Sequence, residues 1–81
     1  MNQQEILSII NNIIKSENGL PVRVGNLFIQ SELDSLGTMI VLVSIAAEFN
    51  ISAKELDDMN IEHLTVENLL TLCESSIIAM K

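Results

Sequence analysis

The chain of 81 residues has no tryptophan or tyrosine, one proline, one histidine, one cysteine and only four basic residues. Each shortage excludes something. A lone cysteine, Cys73, closes no internal disulfide, so the fold must hold without a covalent staple, which fits a reducing cytosol. One histidine and one cysteine do not make a zinc ligand set. Four Lys and Arg against eleven Asp and Glu leave a net charge of −7. That balance opposes docking on a polyphosphate backbone, so nucleic acid is not an expected partner. The three glycines are scattered at positions 19, 25 and 37, which leaves no glycine-rich phosphate loop. No apolar run reaches the length of about 18 residues that suggests a membrane span. The start, "MNQQEILSII", is polar and acidic where a secretory signal would be basic, so a cytoplasmic location is expected.

What is present is aliphatic. Apolar residues make up 48% of the chain, mainly Ile and Leu, enough for the dense core that a domain this short requires. The length allows one domain, residues 1–81. The acidic surface favours solubility and docking on basic partners, although the same charge serves equally to keep small domains apart.

Hydrophobic periodicity predicts four helices. In residues 2–15, Ile6, Ile9, Ile10, Ile13 and Ile14 form one stripe, and Asn2 with Glu5 imitates a capping box. The helix should stop in "SENGLP", where Gly19 suits a left-handed residue and Pro21 cannot continue the ladder. Residues 16–34 then form a connection long for so small a domain. Val22, Val24, Leu27, Phe28, Ile29 and Leu33 suggest that it packs over the core as an ordered loop. A strand over "VRVGNLFI" would have no second strand to pair with.

A second helix is expected over 35–49. Thr38, Val41, Leu42, Ile45 and Phe49 share an inward face, and Leu36, Met39, Ile40, Val43 and Ala47 lie on another. Ten of the 14 residues from Leu36 to Phe49 are apolar, so the helix is apolar nearly all round. A small domain cannot bury every side of one helix, and the outer face is a candidate docking surface. Ser52 with Glu55 opens a short third helix. Thr65 caps the last, where Val66, Leu69, Leu70, Cys73, Ile77 and Met80 repeat at helical spacing. The architecture expected is an all-α bundle of four helices with a long first loop and a short third helix.

Little of the remaining chemistry is catalytic. Ser35 as a nucleophile would need a base, and only His63 is available, in a segment that reads as surface. The stretch "DDMNIEHLTVEN" lacks the turn glycine of a calcium loop, with Glu62 standing in its place. Cys73 falls on an apolar stripe and reads as core. At the start of the second helix, free N–H groups and the macrodipole favour a negative group on Ser35. The plainer reading is that Asp34 or Ser35 caps the helix.

The stretch "LDSLGTMIVLVSIAAEFNI" resembles the signature of the acyl carrier protein family: a D-S-L triplet, helical apolar spacing, then Glu-Phe at the helix end. "LTVENL" resembles the family's opening of the last helix, so the likeness spans nearly the whole chain. The resemblance implies a four-helix bundle of acyl-carrier type, without catalytic activity and monomeric. It implies covalent 4′-phosphopantetheine, transferred from coenzyme A to Ser35 within the motif that Asp34 begins. The arm's thiol would hold an acyl or aminoacyl group as a thioester. Implied partners are a phosphopantetheinyl transferase, an adenylate-forming acyl or aminoacyl ligase, and a downstream acyltransferase or synthase.

The chain departs from the pattern of fatty-acid carriers. Gly37 and Ile40 stand where acids are common, and Glu48 is the only acid from Leu36 to Phe49. Recognition should therefore rest on Leu36, Met39, Ile40 and Val43, with Asp57, Asp58 and Glu62 contributing from the third-helix region. The "DSLGT" run and the spacing from Phe49 to Thr65 look more like stand-alone D-alanyl carrier proteins. A carrier in polyketide, peptidyl or fatty-acid synthesis is the alternative within the family. A helical protein–protein adaptor without a prosthetic group is the alternative outside it, and an esterase is more remote.

Overall fold

A computed structural model describes residues 2–79. Four α-helices account for most of them: α1 (Gln3–Ser16), α2 (Ser35–Phe49), α3 (Ala53–Asp57) and α4 (Val66–Ala79). Two short 3₁₀ turns, Phe28–Ser31 and Ile61–His63, punctuate the connections. The all-α class follows from the sequence as expected, and among the described residues there is no strand.

The helix starts are set by local side chains. Asn2 accepts from the Glu5 amide at 2.9 Å, and the Glu5 carboxylate accepts from the Asn2 amide in return. Ser52 and Glu55 repeat the exchange at α3. Thr65 Oγ1 accepts from the Asn68 amide at 3.0 Å at the head of α4. Each such cap stabilises its helix by about 1 kcal/mol.

The end of α1 differs from the sequence expectation. Asn18, not Gly19, takes the left-handed conformation, with φ 64°. Its amide donates to Lys15 O, and the Gly19 amide donates to Ile14 O. This pair of bonds is the Schellman arrangement, in which a short polar side chain tolerates the left-handed position. Gly19 is needed for space instead. A Cβ there would lie 2.5 Å from Ile14 Cγ2 and 2.7 Å from Leu33 Cδ2. Helix α2 ends the same way, with Asn50 left-handed and the Ile51 amide donating to Ala46 O.

The connection from 17 to 34 is ordered by hydrogen bonds more than by its apolar residues. Asn11, on α1, donates to Val22 O and accepts from Val22 N, both at 2.8 Å. Its side-chain amide thus pairs with the passing backbone as a neighbouring strand would. Phe28 N donates to Leu64 O and Val66 N donates to Asn26 O, forming an isolated antiparallel bridge between Leu27 and Thr65. Val22 and Phe28 are buried and Leu33 partly so, whereas Val24 and Ile29, expected to pack inward, are exposed.

One core joins these parts. Ile6, Ile10 and Ile14 of α1 meet Val41, Leu42, Ile45 and Phe49 of α2 and Val66, Leu69, Leu70 and Cys73 of α4. Helix α1 packs against both α2 and α4. Burying each Ile or Leu contributes about 1.5–3 kcal/mol, so three isoleucines at every fourth position suffice to fix the face of α1. Ile77 packs against this core from the rim, while Met80, placed on the same stripe by its spacing, lies outside the described residues. Thr38, expected inward, is only half-buried.

Burial pushes the Cys73 thiol up from 9.0 to about 12, a backbone hydrogen bond opposing the shift in part. The folded-state value is raised, so the stability that Cys73 contributes is complete below pH 9 and is lost as pH rises toward 12. Urea unfolding across that window should show the stability gap between wild type and Cys73→Ala narrowing as pH rises. A gap that stays constant or widens would contradict the burial of a neutral thiol.

Candidate functional site

The site is built around the first turn of α2. Asp34 is the N-cap: its Oδ1 accepts from the Gly37 amide at 2.6 Å and its carbonyl accepts from the Thr38 amide at 2.8 Å. The choice between Asp34 and Ser35 as capping residue is thereby resolved. Ser35 is the first residue inside the helix, exposed, and its hydroxyl makes no hydrogen bond among the described residues. Gly37 serves the cap, since a Cβ there would approach Asp34 Oδ1 to 2.9 Å. The glycine that replaces an expected acid thus lets the aspartate close tightly over the helix end.

Beside Ser35 the surface is concave. Ser35, Thr38 and Met39 of α2, with Leu33 and Ile61, line a cavity of about 320 Å³. A second cavity of about 230 Å³ lies between α2 and α3, lined by Met39, Leu42, Val43, Leu56, Asp57, Met59 and Ile61. Met39 and Ile61 line both.

The outer face of α2 is apolar and uncovered. Leu36 is 70% exposed, Met39 60%, Val43 55% and Ile40 40%. Their spacing of three, one and three residues puts them on one stripe. Together they exceed the scattered single exposures normal on a soluble surface. Asp57 reaches the cavity between α2 and α3, while Asp58 and Glu62 are exposed on the neighbouring elements. The structure thus places Ser35 in one cavity and Val43 and Asp57 in the other, with Met39 lining both. Leu36 and Ile40 continue the stripe on α2, and neither Asp58 nor Glu62 lines either cavity.

Sequence reasoning missed Leu33, Leu56, Met59 and Ile61, which complete the walls. The only signal was apolar residues inside otherwise polar stretches, such as Ile61 in "NIEHL". His63 ends the second 3₁₀ turn, exposed, and no hydrogen bond joins it to Ser35. Among the described residues, no three His, Cys, Asp or Glu side chains gather as metal ligands, and no helix is long and apolar enough to cross a membrane.

Comparison with known protein families, curated proteins and solved structures finds no match for this chain.

The cap assignment separates two neighbouring side chains. Asp34→Ala should lower unfolding stability by about 1 kcal/mol, and Ser35→Ala should change it by less than about 0.5 kcal/mol. Urea midpoints measure both. The reverse order would show that Ser35 holds the helix end.

Proposed function

We propose that this chain is a stand-alone carrier protein of acyl-carrier type, primed on Ser35 with 4′-phosphopantetheine. The observation that carries the reading is the division of labour at the head of α2. Asp34 satisfies the helix end, so the adjacent serine hydroxyl is exposed and unengaged. A serine whose task was capping would have its oxygen turned back to the helix amides.

The site suits the group. A phosphodiester carries a negative charge, and the N-terminus of a helix stabilises one through its free amides and dipole. Gly37 and Thr38 give their amides to Asp34, while those of Ser35 and Leu36 precede the first intrahelical acceptor. Ser35 needs no base of its own. On attachment one bond forms from Ser35 Oγ to phosphorus, the serine proton passes to the transferase, and adenosine 3′,5′-bisphosphate leaves coenzyme A. Once bound, the group supplies a terminal thiol that holds a carboxylic or amino acid as a thioester. The residues of this chain orient the attachment point and present surface to partner enzymes.

That surface is the stripe of Leu36, Met39, Ile40 and Val43. Desolvated apolar side chains at the centre of an interface dominate binding energy. Asp57, Asp58 and Glu62 give it an acidic border on the α3 side, matching a partner groove with an apolar floor and cationic residues along one edge. The lack of acids on α2 before Glu48 favours an adenylate-forming ligase of the D-alanyl type over the fatty-acid enzymes. A downstream acyltransferase or synthase would take the cargo, and the carrier would work as a cytoplasmic monomer. The same exposed stripe supports a second reading, a helical adaptor without a prosthetic group.

Incubation with coenzyme A and a broad-specificity transferase decides between them. By intact mass, wild type should gain one phosphopantetheine, Ser35→Ala none, and Ser31→Ala the wild-type amount. Ser31 is buried and donates to Phe28 O, out of reach of a transferase. No gain on a folded wild type would favour the adaptor, and a gain on Ser35→Ala would refute the site.

Docking has its own variant. Ile40→Glu puts a charge on an exposed part of the stripe and should shift stability by no more than about 0.5 kcal/mol. On the primed protein it should slow loading by the cognate ligase at least several-fold. Normal loading would put the docking face elsewhere.

A further inference from the structure

We propose that Asn18 is a self-modification site held dormant by the fold, deamidating when the end of α1 opens and not while it is closed. Asn18–Gly19 is the only asparagine–glycine pair in the sequence; five of the other asparagines precede Ile or Leu. The reaction begins when the backbone nitrogen of the following residue attacks the asparagine Cγ. A nitrogen–carbon bond forms, the side-chain amide leaves as ammonia with the proton given up by that nitrogen, and a five-membered imide results. Water then opens the imide at either carbonyl, giving aspartate or isoaspartate. Glycine, with no side chain, does not hinder the attack, whereas isoleucine and leucine crowd it.

In the folded chain the ingredients are adjacent but restrained. Asn18 is exposed, so water has access. The Gly19 amide, however, donates to Ile14 O at 3.0 Å, and the Asn18 amide donates to Lys15 O at 3.0 Å. A nitrogen whose proton is committed to an acceptor must lose that bond before it can attack. Closing the ring also requires the peptide between Asn18 and Gly19 to swing. Gly19 is wedged where even a Cβ would come within 2.5 Å of Ile14 and 2.7 Å of Leu33. The left-handed φ of Asn18 fixes the other side of that peptide. The reaction therefore waits on local opening.

Once made, the change is not accommodated. Either product puts a carboxylate at the C-terminal end of α1, beside Glu17, where the helix dipole is already negative. Isoaspartate also lengthens the backbone by one carbon between residues 18 and 19. The two capping hydrogen bonds then cannot both re-form in register.

The test follows deamidation of the full chain in mildly alkaline buffer, with and without denaturing guanidinium, by peptide mass mapping that separates aspartate from isoaspartate. In denaturant the conversion should concentrate at Asn18, and in native buffer it should be roughly ten-fold slower or more. Equal rates in the two conditions, or conversion spread evenly over other asparagines, would overturn the proposal. Asn18→Gly keeps a residue suited to positive φ, and it should fold and lose the dominant conversion in denaturant. Asn18→Asp should melt below wild type, and an unchanged melting temperature would remove the claimed consequence.

Discussion

Helix α2 is apolar nearly all round, and a domain of this size can cover only part of it. The rest of the architecture answers that constraint. Val41, Leu42, Ile45 and Phe49 go to the core, where α1 and α4 close over them. Leu36, Met39, Ile40 and Val43 are left in solvent. Burial could not be gained by rotating the helix, since any turn that hides Ile40 brings Ile45 or Leu42 toward water. The exposed stripe is thus a fixed property of the sequence and not a defect of packing, and it begins at Leu36, next to Ser35.

The long first connection keeps the head of α2 where this matters. A flexible chain of that length would leave the start of α2 loosely placed. Two clamps prevent it. Asn11 holds Val22 to α1, and the bridge between Leu27 and Thr65 ties the loop to the segment entering α4. Between and beyond these, Phe28 is buried and Leu33 leans against Gly19 and Gly37. The loop therefore arrives at Asp34 already ordered, and the cap on Gly37 starts the helix at a defined residue. Breaking the pairing of Asn11 with Val22 would leave two part-buried backbone groups without their partner, at a cost of up to about 1 kcal/mol each.

Local signals were legible in the sequence and tertiary ones were not. The first, second and last helices follow from apolar spacing, α1 lying one residue beyond the expected 2–15, and the caps at Asn2, Ser52 and Thr65 follow from side chains three residues from their partners. The inner and outer faces of α2 separated correctly except at Thr38, because angular position on a helix depends on the register alone. The end of α1 was misread because Asn18 takes the left-handed position, and Gly19 is needed for space against Ile14 and against Leu33, which returns to it only in the fold. Nothing in the spacing pairs Asn11 with Val22, eleven residues on. Val24 and Ile29 had no periodicity to orient them, and the walls supplied by Met59 and Ile61 come from a segment without a repeat. Around the head of α2, a cap at Asp34 or Ser35 and the exposure of the stripe were readable. The concavity beside them was not.

Charge placement gives the exposed stripe a direction. With a net charge of −7, the chain attracts cationic surfaces at long range, yet Leu36 to Val43 contains no acid. Asp57, Asp58 and Glu62 stand to one side, toward α3. A cationic partner docking on this stripe, as proposed, would therefore be drawn in at long range with no charge at the centre of contact, where desolvating it would oppose binding. On that proposal, steering and holding fall to different residues. A partner that relied on salt bridges along α2 would find none, while one with an apolar groove and a cationic border would be drawn in and then retained. For the carrier proposed above, which would have to leave one enzyme for the next, this division would be useful: raised salt would weaken the approach, and the apolar contact would set the residence time.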